Sequence, residues 1–63
     1  MSAETKKAAE ITKENLGNAG EYLRRAAENA GKTGDKTLIE KVTKIKQETE
    51  EATKELTKKL KEG

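Results

Sequence analysis

Apolar and small residues recur at helical spacing in two stretches of the chain, separated by a short polar interval. From Ala3 to Ala30, residues set 100° apart gather Thr5, Ala9, Thr12, Leu16, Ala19, Gly20, Leu23, Ala27 and Ala30 on one stripe, with Ala8 and Ala26 at its edge. From Leu38 to Leu60 a second stripe carries Leu38, Val42, Ile45, Thr49, Ala52, Leu56 and Leu60 at steps of three and four, and this is the stronger amphipathic signal. The pattern predicts an all-α fold, an antiparallel two-helix hairpin completed as a helical bundle by self-association or by a partner. An off-stripe pair, Ile11 and Tyr22, lies eleven residues apart on nearly one bearing and would widen such a contact.

The punctuation between the stripes supports two helices. No proline occurs, so the chain is free to be helical wherever glycine does not intervene. Ser2 is placed to cap the first helix, with Glu4 in its opening turn, and Gly31 follows Ala30 where a left-handed residue is wanted. Thr37-Leu38-Ile39-Glu40 matches a capping box, in which the Thr37 hydroxyl accepts from the Glu40 amide and the Glu40 carboxylate reaches back. The expected organisation is one helical domain over 1–63, with a helix at about 3–30, a connector at 31–36 and a helix at about 37–62. Gly17-Asn18 would suit a break and a new cap. The unbroken phase of the stripe favours a continuous helix, with Gly20 allowing close approach of the other helix. Five acid-to-base pairs four residues apart (Glu21/Arg25, Glu28/Lys32, Glu40/Lys44, Glu50/Lys54, Glu55/Lys59) run in the favourable direction and support helix formation.

Composition sharpens this picture. Only nine of 63 residues are Leu, Ile or Val and there is no Phe, too few to shelter one another in a lone hairpin, so a second copy or another protein is expected along the seam. The seam is expected to centre on Leu16, Ala19, Gly20, Leu23, Ala27, Leu38, Val42, Ile45, Leu56 and Leu60. Fourteen basic and twelve acidic residues leave a net charge of +2, which removes the one-sided repulsion that keeps charged tails expanded. With neither Cys nor His, disulfide scaffolds, thiol catalysis, zinc fingers and imidazole ligands drop out. Strictly apolar runs stop at two residues, such as Leu38-Ile39, which excludes a membrane-spanning helix. A soluble, cytoplasmic chain is expected, and the abundance of Lys and Glu beside one Gln and one Met suits a thermostable protein.

Candidate chemistry is thin. Ala26 to Thr33 fits a relaxed phosphate-loop string, with Ala in place of the first Gly, but it follows a helix rather than a strand and is read as a helix end and its turn. Paired carboxylates such as Glu10 with Glu14, or Glu48 and Glu50 with Glu51, lie off the apolar stripes on solvated faces, whereas acid–base work needs a desolvated carboxyl. The sole Asp, Asp35, cannot make a calcium loop, and Ser2, eight threonines and Tyr22 have no imidazole to activate them. No enzyme, cofactor or metal site is therefore expected. Lys6, Lys13 and Arg24 share an edge, but Glu10, Glu14, Glu21 and Glu28 run beside it, so a small nucleic-acid-binding module ranks third. A membrane surface is disfavoured: Lys46 and Lys59 flank the second stripe, but Thr49, Ala52 and Thr53 interrupt it and no Trp or Phe anchors it.

Steps of eleven also link Thr5, Leu16, Ala27, Leu38, Thr49 and Leu60, and likewise Met1, Thr12, Leu23, Gly34, Ile45 and Leu56. With the Ala/Glu/Lys/Thr/Gly vocabulary, the segments Thr5 to Glu14 and Gly20 to Lys36 resemble the eleven-residue repeats of group 3 late-embryogenesis-abundant proteins. That resemblance implies a stress protectant, poorly ordered when hydrated and helical on drying or at membranes. The primary expectation remains a non-catalytic structural or interaction protein that binds itself or another protein.

Overall fold

Helix begins as soon as a side chain can take over the first free amides. In the computed structural model, which describes residues 1–62, the Ser2 hydroxyl accepts from the Thr5 amide at 3.1 Å and donates to the Thr5 hydroxyl at 2.8 Å. From this cap α1 runs over Ala3–Thr33, with Glu4 in its first turn and Lys32 in its last, each favourable to the helix dipole. It passes through Gly17, Gly20 and Gly31 without a break. The break considered at Gly17-Asn18 is absent because helical residues on both sides keep their apolar phase, and that outweighs the glycine penalty.

The end of α1 falls later than its sequence suggests. Gly31 stays helical, and the left-handed residue is Gly34, at φ 70 and ψ 5, whose amide donates to the Gly31 carbonyl at 3.4 Å. A residue with a Cβ would be strained there, which is why this position carries glycine. Thr33 secures the turn from both sides: its hydroxyl donates to the Ala30 carbonyl at 2.6 Å and accepts from the Asp35 amide at 3.1 Å.

The second helix, α2, spans Lys36–Glu62, so the connector shrinks from the expected 31–36 to Gly34 and Asp35. Asp35 displaces Thr37 as the cap. Its carboxylate accepts from the Leu38 amide at 3.1 Å and its carbonyl from the Ile39 amide at 3.0 Å. The capping box expected at Thr37 and Glu40 does not form because both lie inside the helix, Thr37 falling two residues past the cap. Asp35→Ala is expected to cost about 1 kcal/mol, whereas Thr37→Ala should leave the urea midpoint nearly unchanged; the reverse ranking would place the cap at Thr37.

The two helices lie antiparallel as a hairpin of 47 × 15 × 12 Å. The molecule is all-helical among its described residues. Along α2, threonines act as apolar residues: the Thr49, Thr53 and Thr57 hydroxyls each donate at 2.9 Å to the carbonyl four residues back. With the hydroxyl satisfied within its own helix, the methyl group is what remains to cover the seam.

Candidate interaction surface

The seam positions on both helices repeat with the three-four spacing of a coiled coil, and Ala19, Ala52 and Thr57 are half-buried at its edges. On α1 the seam positions are Ala9, Lys13, Leu16, Gly20, Leu23 and Ala27, followed by Ala30. On α2 they are Ile39, Val42, Lys46, Thr49, Thr53, Leu56 and Leu60. Leu16 and Gly20 share one lining with Thr49 and Thr53, and Thr12 and Leu16 another with Ala52 and Leu56. Carried along the three-four spacing, this antiparallel register pairs Ala30 with Ile39, Ala27 with Val42, Leu23 with Lys46, Gly20 with Thr49, Leu16 with Thr53, Lys13 with Leu56 and Ala9 with Leu60. Each level thus sets a small residue or a charged chain against a branched or long one. Such a seam is closed at the turn and shallow elsewhere: Ala30, 5% exposed, is the one buried residue among those described.

Eight of the ten expected seam residues lie half-buried between the helices: Leu16, Ala19, Gly20, Leu23, Ala27, Val42, Leu56 and Leu60. Leu38 and Ile45 do not join them and are 41% and 50% exposed. Ile39 and Lys46 take those levels instead, because the stripes beginning at Leu38 and at Ile39 share Val42, Thr49, Leu56 and Leu60 and differ only by a small rotation of α2. The turn selects the second. The charge on Lys46 obscured it in the sequence. In the fold its ammonium reaches Glu50 at 3.2 Å while the side chain stays 34% exposed, so its stem covers the seam and its head stays wet. Ile11 and Tyr22, the expected secondary patch, are exposed at 50% and 69%. Arg25 lies over the Tyr22 ring, 5.8 Å from its centre, an arrangement that holds the ring by cation–π attraction.

The two sides of the seam differ. On one side Leu16, Gly17, Gly20, Thr49 and Thr53 floor an open groove of about 450 Å³. Its rim carries the Arg24–Glu21 pair at 3.0 Å and the Lys46–Glu50 pair. Gly20 does not bring the helices closer, since a Cβ built there, or at Gly17, meets nothing within 4 Å. The expected close approach is therefore absent and a hollow takes its place. On the opposite side Thr12, Leu16, Ala52, Glu55, Leu56 and Lys59 line a second, smaller depression of about 330 Å³.

The remaining candidate motifs are absorbed into the helices. Ala26 to Thr33 is helical throughout, so its amides are committed to the backbone ladder rather than gathered around an anion. Glu10, Glu14, Glu48, Glu50 and Glu51 are all exposed, and no group of three acidic side chains among the described residues could hold a metal ion. Within the basic edge, Lys13 sits in the seam and Arg24 is engaged by Glu21. Of the expected ion pairs, Glu21–Arg25 measures 4.0 Å and Glu55–Lys59 3.4 Å, while Glu50 turns to Lys46 rather than Lys54. All are exposed enough that each contributes well under about 1 kcal/mol. No helix among the described residues is long and apolar enough to cross a membrane.

The eleven-residue series does not mark the contact face, since Leu38 and Ile45 stand outside it. Both helices follow the seven-residue pattern, and its phase shifts across the turn. Compared with protein-family models, with curated proteins and with solved structures, the chain matches none of them.

Proposed function

We propose that this chain is a non-catalytic helical interaction protein that works by self-association. One observation carries the reading: among the described residues only Ala30 is buried, at 5% exposed, while Met1, Ile11, Tyr22, Leu38 and Ile45 stay 41% exposed or more. Two helices sharing one shallow seam bury too little apolar surface to offset the ordering of some 60 residues, and a second hairpin supplies the missing cover in the ordinary manner of a four-helix bundle.

Far-UV circular dichroism and analytical ultracentrifugation across a dilution series test this. The expected result is a mass of two chains or more at micromolar concentration and a melting temperature that rises with concentration. A sharply melting monomer at nanomolar concentration would end the proposal. A largely unfolded monomer, driven helical by trifluoroethanol, would end it in favour of the protectant role implied by the late-embryogenesis-abundant resemblance.

A further inference from the structure

Charge is distributed unevenly around α1, and the hairpin makes that unevenness into a face. Apart from Lys6 and Lys13, which fall on the seam line itself, every Lys, Arg and Glu of α1 lies on the groove side of the seam or on the back of the helix. The other flank carries only alanine, threonine, asparagine and tyrosine, with Ala8, Ala19, Tyr22 and Ala26 at its centre. In an antiparallel pair the corresponding flank of α2 falls on the same side, and Thr12 of α1 with Ala52, Glu55 and Lys59 of α2 already line one depression there. That α2 flank is Leu38, Ile45 and Ala52, ending at Lys59, which Glu55 holds at 3.4 Å. Two of the exposed large apolar side chains, Leu38 and Ile45, therefore lie beside an uncharged surface instead of being scattered over the molecule.

Resting on the self-association reading, we infer that this side, uncharged along α1 and carrying on α2 only the Glu55–Lys59 pair near the termini, is the surface that a second copy covers, and that the two copies run antiparallel. The size is right: a face of 47 × 15 Å is about 700 Å² in projection, close to the roughly 800 Å² per partner of a standard interface. The direction follows from the borders of the face. Along its α1 border Glu4 lies at the end bearing the chain termini and Arg25 and Lys32 toward the turn; along its α2 border Lys41 lies toward the turn, with Glu48, Glu55 and Glu62 toward the termini. Both borders are thus basic near the turn and acidic near the termini. Parallel copies would set base against base and acid against acid. Antiparallel copies bring Lys32 toward Glu4 of the second copy, and Lys41 toward its Glu55 and Glu62, with α1 on α1 and α2 on α2 about a two-fold axis near the middle of each helix.

Sedimentation equilibrium on Ala26→Glu, Ile45→Glu and the opposite-side control Glu14→Lys tests the face. Glutamate favours helix at both positions, so a folded hairpin is retained locally. The first two variants should weaken association at least tenfold and the control less than threefold. Mild oxidation of Ala19→Cys, close to the two-fold, tests the direction. It should yield a covalent dimer at wild-type association strength, because antiparallel copies bring the two introduced thiols together, whereas parallel copies would set each against α2. Unchanged association of both glutamate variants while the wild type still dimerises would overturn the face. Failure of Ala19→Cys to cross-link under those conditions would overturn the direction. A wild type that stays monomeric would overturn the self-association reading beneath both.

Discussion

The triple variant G17A/G20A/G31A is expected to be more stable than the parent by about 2–3 kcal/mol, raising the melting temperature by roughly 10–20 °C at matched chain concentration. All three glycines sit inside α1 with right-handed backbone, and a Cβ at any of them meets nothing within 4 Å. Alanine therefore lowers the entropy of the unfolded chain without a clash, and at Gly17 and Gly20 it begins to fill the hollow facing Thr49 and Thr53. Because that groove lies away from the uncharged side, the variant should associate as the parent does. Urea melts read at two protein concentrations settle both points. A loss of stability would mean that something in the assembled protein presses against those glycines.

The opposite extreme is Ala30→Asp. Ala30 is 5% exposed, level with Ile39 and one turn from the end of α1. A carboxylate there loses its water without gaining a cation, and it also faces the negative end of the helix dipole. A loss of about 3 kcal/mol is expected, enough to leave a hairpin of this size largely unfolded. Ala30→Ser, whose hydroxyl returns to its own helix as the neighbouring threonines do, should cost about 1 kcal/mol or less. Helicity at 222 nm against urea separates the two. An Ala30→Asp protein with the parental midpoint would show that the turn end of the seam is open to water.

Sequence alone carried the helices, their antiparallel order and the Ser2 cap, because these depend on local spacing and on side chains that act within one turn. It failed at the reversal. Gly31 and Gly34 are both acceptable helix terminators, and Asp35 and Thr37 are both acceptable caps. The choice fell to Gly34 and Asp35 because Thr33 bonds across the pair, so that one additional turn of α1 is retained. That shift of a few residues in the turn also governed the candidate surface. It fixed the rotation of α2 so that Ile39 and Lys46 face inward and Leu38 and Ile45 outward. The apolar content of α2 favours the stripe of Leu38, Ile45 and Ala52 over the overlapping one of Ile39, Lys46 and Thr53, and only tertiary register selects the second. The uncharged side was hidden for the same reason: it consists of one flank from each helix, and their adjacency exists only once the chain has doubled back.

The left-handed glycine at position 34 governs more than a corner. Continuing the seven-residue pattern of α1 would put the next position equivalent to Ala27 at 34, whereas α2 resumes that position at Ile39, five residues later. At 100° per residue the stripes of a straightened chain would diverge by roughly 140°. An unbent rod would hence offer its halves to different neighbours, while the folded-back molecule turns both stripes inward against each other.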